Sequence, residues 1–211
     1  MRIPKQSLIV YLVWMFLLVE VLVSAWLMAW SEAFVALLTL GLTFLPVVFE
    51  DRLRIHLPLS VGAVMVLFLF GTLFLGEVGD FYEKYWWWDV LLHSASAIGF
   101  GLIGFVLIFM LFEGDRYAAP PRSIAFLSFC FALAIGAMWE VFEYLMDIAF
   151  GLSMQKSGLD DTMWDMIVNM IGASIGALAG YFYLREKWFV GLARMIDQFV
   201  KANKKLFRKN K

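Results

Sequence analysis

The 211-residue sequence has one cysteine, Cys130, and two histidines. A single thiol excludes a disulfide scaffold. Charge is scarce as well: Asp, Glu, Lys and Arg make up 17% of the chain, against about 25% in an ordinary soluble domain. There is no long linker, no low-complexity run and no internal repeat, so nothing marks a second domain. No G-x-S-x-G segment occurs, which removes the nucleophile elbow of serine hydrolases. What is present is apolar. Hydrophobic residues reach 63%, including 9 Trp and 21 Phe, and the mean hydropathy is +0.80. A water-soluble fold of this size cannot hide that much apolar surface. The composition therefore describes an all-α, polytopic membrane helix bundle.

A bilayer core of about 30 Å takes roughly 20 apolar residues per helix. Six stretches qualify, at 7–30, 32–49, 58–79, 89–112, 123–149 and 162–184. The first is longer than a signal-peptide core and no clean small-x-small cleavage site follows, so it reads as a retained helix. The second is the shortest and carries Pro46 near its end; a tilted or buried helix is an alternative to a full crossing. Arg2, Lys5, Arg52, Arg54, Arg116 and Arg122 fall in alternate connections, and the remaining basic residues cluster after Tyr183. Only Lys84 and Lys156 lie opposite. The positive-inside rule then puts both termini in the cytoplasm. The acids segregate the other way: Glu32, Glu77, Asp80, Glu83, Asp89, Glu140, Glu143, Asp147, Asp160, Asp161 and Asp165 gather at or near the outer face.

The transmembrane bundle is expected to occupy 1–184 and a basic amphipathic tail 185–211. In the tail, Trp188, Leu192, Met195, Phe199 and Leu206 recur at helical spacing, with Lys201, Lys204, Lys205, Arg208 and Lys209 following. One reading is an interfacial helix on anionic lipid headgroups; the ordinary alternative is a stop-transfer anchor. Nucleic acid is not an expected partner, because no reading module accompanies the charge. Gly114, Pro120 and Pro121 mark a cytoplasmic turn and 151–158 an outer loop.

Ionisable groups inside a span are costly and usually face the bundle interior. Asp89 and His93 lie at i, i+4 in the fourth span. Glu140, Glu143 and Asp147 share one face of the fifth. Asp161, Asp165 and Asn169 share one face of the sixth, and that stripe runs on into Gly172, Gly176 and Gly180. Glycines at every fourth position admit a neighbouring helix at close range, so these acids should face protein. Many carboxylates in one low-dielectric layer cannot all stay ionised unaided. A divalent cation, shared protons or a wet vestibule would each resolve this. Asp89, His93, Glu140, Glu143, Asp161, Asp165 and Asn169 are the candidate metal ligands. Carboxylates with one imidazole suit Zn, Mn or Fe; carboxylates with Asn suit Ca or Mg. Glu140 and Glu143 are also candidate general bases.

Each residue has a plainer reading. Asp89 and Asp161 can serve as helix N-terminal acids. Asp147 and Asp160 can simply be solvated, and a lone His93 can be a packed, hydrogen-bonded residue. Glu20, midway along the first span, can hydrogen-bond as a neutral acid. Trp86, Trp87 and Trp88 read as an interfacial belt, with a substrate entrance as the alternative. Trp139 and Trp164 each precede a candidate acid and can wall it from water. Cys130 and His56 have no assigned role.

Asp89-x3-His93, Trp139-Glu140-x2-Glu143, and Asp161-Thr162-x2-Asp165-Met166 with Asn169 and Gly172-Ala173 together resemble the YjdF-like family of bacterial inner-membrane proteins. The resemblance covers about 89–180. Ser94 stands where that family commonly has Phe. A fainter similarity is to VanZ-like proteins, but the Gln and Arg of their motif are missing, so their function does not carry over. The YjdF-like resemblance implies a bacterial-type plasma membrane and gives weight to the polar set. It supplies no reaction. Three functions remain open: a metal-dependent enzyme acting on a lipid or lipid-linked envelope substrate, a non-catalytic accessory protein, and a cation or proton-coupled transporter.

Overall fold

The computed structural model describes residues 5–112, 119–185 and 191–207. Arg2, Gly114, Arg116, Trp188, Arg208 and Lys209, on which part of the charge and tail reading rests, lie outside them. Every regular element among the described residues is helical. Six stretches are long and apolar enough to cross a bilayer: Leu8–Trp26, Trp30–Leu53, Leu59–Val78, Trp86–Leu111, Pro121–Phe150 and Leu159–Leu184. The expected all-α membrane bundle is thus what the chain forms. By internal packing the chain divides between Leu92 and His93, inside one continuous helix.

In the first unit, α1 (Leu8–Trp26) opens with the Val10 N–H donating to Ser7 Oγ, an N-cap. Its buried face is Val10, Val13 and Leu17, at i, i+3, i+7. These side chains pack with Ala36 of α2 (Trp30–Leu42) and with Ala63 and Val66 of α4 (Leu59–Leu69). Glu20 is half-buried and accepts a hydrogen bond from Ser24 Oγ at 3.3 Å, so the expected hydrogen bond is made within the helix.

The second span is interrupted. Helix α2 ends at Leu42, and α3 (Leu45–Leu53) begins with Pro46 in its first turn. Proline has no N–H to give to the carbonyl four residues back, and its ring clashes there; four residues before Pro46 is Leu42. Trp14 stacks on Phe44 at this break, with ring centroids 4.3 Å apart. The third span starts as α4 and continues from Phe70 to Val78 as a wider π-helical stretch, closed by the Gly79 N–H donating to Phe74 O. A short α5 (Phe81–Lys84) follows. In the tryptophan run, Trp86 and Trp87 are exposed, as a belt requires. Trp88 instead packs edge-on against Phe81 and lies over Gly71.

The second unit holds most of α6 (Trp86–Leu111), then α7 (Pro121–Phe150), α8 (Leu159–Leu184) and α9 (Leu192–Ala202). Proline is tolerated at the first position of α7, where its missing N–H would have had no helical partner. Gly151 ends α7 at φ 67°, a left-handed cap that favours glycine. At the end carrying Leu111, Pro121 and Leu184, a buried apolar cluster joins Phe105, Phe109, Ile124, Tyr183, Leu184, Ala193, Ile196 and Phe207. Helix α9 therefore turns its apolar stripe onto protein, using Ala193 and Ile196 rather than the flanking Leu192 and Met195 as its most buried positions.

Candidate metal centre

Helices α6 and α8 run parallel at close quarters. A Cβ on Gly172 would lie 2.7 Å from Ser94 O, and one on Gly176 would lie 2.7 Å from Ile98 O and 3.0 Å from Gly101 Cα. Only glycine permits that approach, as the spacing of the small residues implies. One turn forward along α8 matches one turn forward along α6. Stepping back from Gly172 to Asp165 therefore brings Asp165 within about one helical turn of His93. Helix α7 runs the opposite way. Gly136 meets the Asn169 side chain, so Glu140, one turn further along α7, comes level with Asp165.

The polar residues brought together are buried. His93 is 8% exposed, Glu140 5%, Asp165 4% and Asn169 2%. On the same turns Val141, Tyr144, Leu145 and Trp164 are exposed. The acids face protein and the apolar side chains face outward, the reverse of a water-soluble helix and the arrangement a bilayer demands.

His93 is the centre of the geometry. Its Nδ1 lies 3.8 Å from Glu140 Oε1, and its Nε2 lies 3.8 Å from Asp165 Oδ2. Both separations exceed hydrogen-bond length. Asp89 precedes His93 by one turn on the same helix. Asp89, His93 and Asp165 each offer a ligand atom within 4.8 Å of the others, which makes this a possible metal-binding group. Asn169 Nδ2 is buried one turn below Asp165 and has no hydrogen-bond partner among the described residues.

The other expected residues are engaged elsewhere. Glu143 is buried and accepts a 2.8 Å hydrogen bond from Trp139 Nε1. This i, i+4 pairing could have been read from the spacing; Trp139 was expected only to exclude water. Asp147 accepts from the N–H groups of Met154 and Gln155 at 2.7 and 3.0 Å. Asp161 accepts from Lys156 N–H at 3.1 Å. Gln155 Nε2 donates to Thr162 Oγ1 at 2.6 Å. These bonds fasten the loop between α7 and α8, and they give Asp147 and Asp161 the structural work of loop latches. Cys130 and His56 are exposed.

Comparison with known proteins agrees with this architecture. An uncharacterised protein of Thermotoga maritima is 26% identical over 129 residues, which is 61% of this chain and 66% of that protein, just under two thirds of its length. No solved structure matches the chain. A family model described as "Predicted membrane protein (DUF2238)" matches residues 8–186. The YjdF-like family corresponds to this family. The six apolar spans and the match over most of the chain place the protein in the DUF2238 family of multi-pass membrane proteins.

Proposed function

We propose that the protein binds a divalent metal ion through Asp89, His93 and Asp165 and uses it to activate water against a lipid or lipid-linked envelope substrate. The observation that carries this reading is the placement of His93 between two buried carboxylates on different helices. A metal bond to imidazole or carboxylate is about 2.0–2.2 Å long. Two such bonds span the 3.8 Å between His93 Nε2 and Asp165 Oδ2. Asp89, whose carboxylate lies within 4.8 Å of both other ligand atoms, would be the third ligand. Glu140, facing the other ring nitrogen, then has the place of the carboxylate that orients a metal-bound histidine. It is a positioning residue in this arrangement, and Glu143 becomes the candidate general base. One imidazole with two carboxylates suits Zn, Mn or Fe; Mg and Ca remain within the class of divalent ions the site would accept. The YjdF-like resemblance supports a bacterial-type plasma membrane, and the charge asymmetry of the loops supports cytoplasmic termini with the site toward the outside.

A second reading has its own support. Asp147 and Asp161 fasten a loop, and the glycine seam draws helices together, so the polar layer could serve an accessory protein by assembly alone. Transport has less behind it: the other end of α6, α7 and α8 is packed with Phe105, Phe109, Ile124 and Tyr183.

Metal analysis of detergent-purified protein separates the readings. Near-stoichiometric metal in wild type, lost in Asp165→Asn and reduced in Glu140→Gln, supports the metal site. Metal-free wild type whose melting ignores both EDTA and added divalent ions overturns it and favours the accessory role. Envelope lipids incubated with loaded wild type and with Glu143→Gln then test the reaction: lipid turnover should vanish in the variant.

A further inference from the structure

The tail offers a surface that the metal centre does not use. Helix α9 packs at the ends of three spans. Its Ala193 and Ile196 belong to one buried cluster with Phe109, two residues before the end of α6, Ile124 in the first turn of α7, and Tyr183 and Leu184, the last residues of α8. Phe207 closes the same contact, its ring 5.7 Å from that of Phe109. At about 1.5 Å per residue, α9 lies within one turn of where those spans finish. That is the level at which hydrocarbon gives way to phospholipid headgroups.

The apolar side of α9 is covered by protein, so the side left over is polar. Arg194, Gln198, Lys201, Lys204 and Lys205 are exposed, and Arg122 and Arg185 at the adjoining span ends are exposed as well. Asp197, the one acid on α9, is largely buried and already pairs with Lys201 at 2.7 Å. Such a face cannot enter the acyl region, where an uncompensated cation is costly, yet it is fixed beside the bilayer by the spans themselves. We infer that α9 and the adjoining span ends form a rigid cationic collar that binds the headgroups of anionic phospholipids. The mode differs from that of a free amphipathic helix. The apolar stripe holds the helix to the protein, and charge alone recruits the lipid.

Full-length protein in detergent would be melted with increasing phosphatidylglycerol or, separately, phosphatidylcholine. Phosphatidylglycerol should raise the melting temperature more, and the preference should disappear near 1 M salt, where the Debye length falls to about 3 Å. In the triple variant Lys201→Gln, Lys204→Gln, Lys205→Gln the apparent affinity for phosphatidylglycerol should fall roughly tenfold or more, since each cation near an anionic surface counts severalfold. The response to phosphatidylcholine should be unchanged. Equal responses of wild type to the two lipids, or a preference that survives salt, overturns the collar. If the variant does not fold, the salt series on wild type decides.

Discussion

Within the second unit, α6, α7 and α8 meet twice by different means. At one end they meet through His93, Glu140, Asp165 and Asn169; at the other through Phe105, Phe109, Ile124 and Tyr183, capped by α9. Between the two lies the seam where Gly172 and Gly176 touch the α6 backbone. The aromatic end has everything it needs for packing within the described residues: Phe105 stacks on Phe109, and Tyr183 meets both edge-on. The polar end holds two His–carboxylate pairs at 3.8 Å and, among the described residues, a buried Asn169 amide N–H without an acceptor. Polar groups deep in a bilayer are expensive unless satisfied, so the two ends hold the same helices together by different chemistry.

The comparison can be broken most severely at the seam. Gly176→Leu would force side-chain atoms into Ile98 O and Gly101; backbone cannot yield as a flexible side chain does, so both ends should be lost. The expected cost is about 3 kcal/mol or more, read as failure to obtain monodisperse protein or a collapsed melting temperature. Phe109→Ala attacks the aromatic end alone and should cost about 3–5 kcal/mol, while metal content of the surviving folded fraction stays at the wild-type level. Glu140→Gln attacks the polar end alone. As a partner of a metal-bound histidine it should weaken metal affinity about 10–100-fold in a chelator competition, with little change in the melting of metal-free protein. Trp139→Phe should do least to metal binding. Removing one donor to buried Glu143 costs about 1–3 kcal/mol, measured by chemical or thermal unfolding, and leaves metal stoichiometry intact.

The six spans were legible because each is a long apolar run, and a bilayer reads length and hydropathy directly. The buried stripe Asp165, Asn169, Gly172, Gly176 was legible too, since its period is that of a helix. Less visible was the break after Leu42: Pro46 announced a disturbance, but its effect falls four residues upstream, where the lost hydrogen bond would have ended. The π-helical stretch from Phe70 to Val78 left no periodic signature to read. At the candidate site, spacing gathered more acids than the two that lie against His93. Asp147 and Asp161 share faces with Glu140 and Asp165, yet they sit at helix ends where loop N–H groups need acceptors. Spacing reports the face of a helix; which acid serves the loop depends on where the helix stops. The tail showed its amphipathic character in sequence, but which surface its apolar side covers depends on the α6, α7 and α8 ends it meets.

Seven residues separate Asp165 from Gly172, very nearly two helical turns. That interval acts as a ruler. One end is clamped where α8 touches α6, and the other delivers a carboxylate to the imidazole. Adding one alanine between them would swing Asp165 by about 100° around the helix axis while leaving composition, charge and hydropathy almost unchanged. The candidate metal centre is thus specified by an angular phase within α8 as much as by the identity of its ligands.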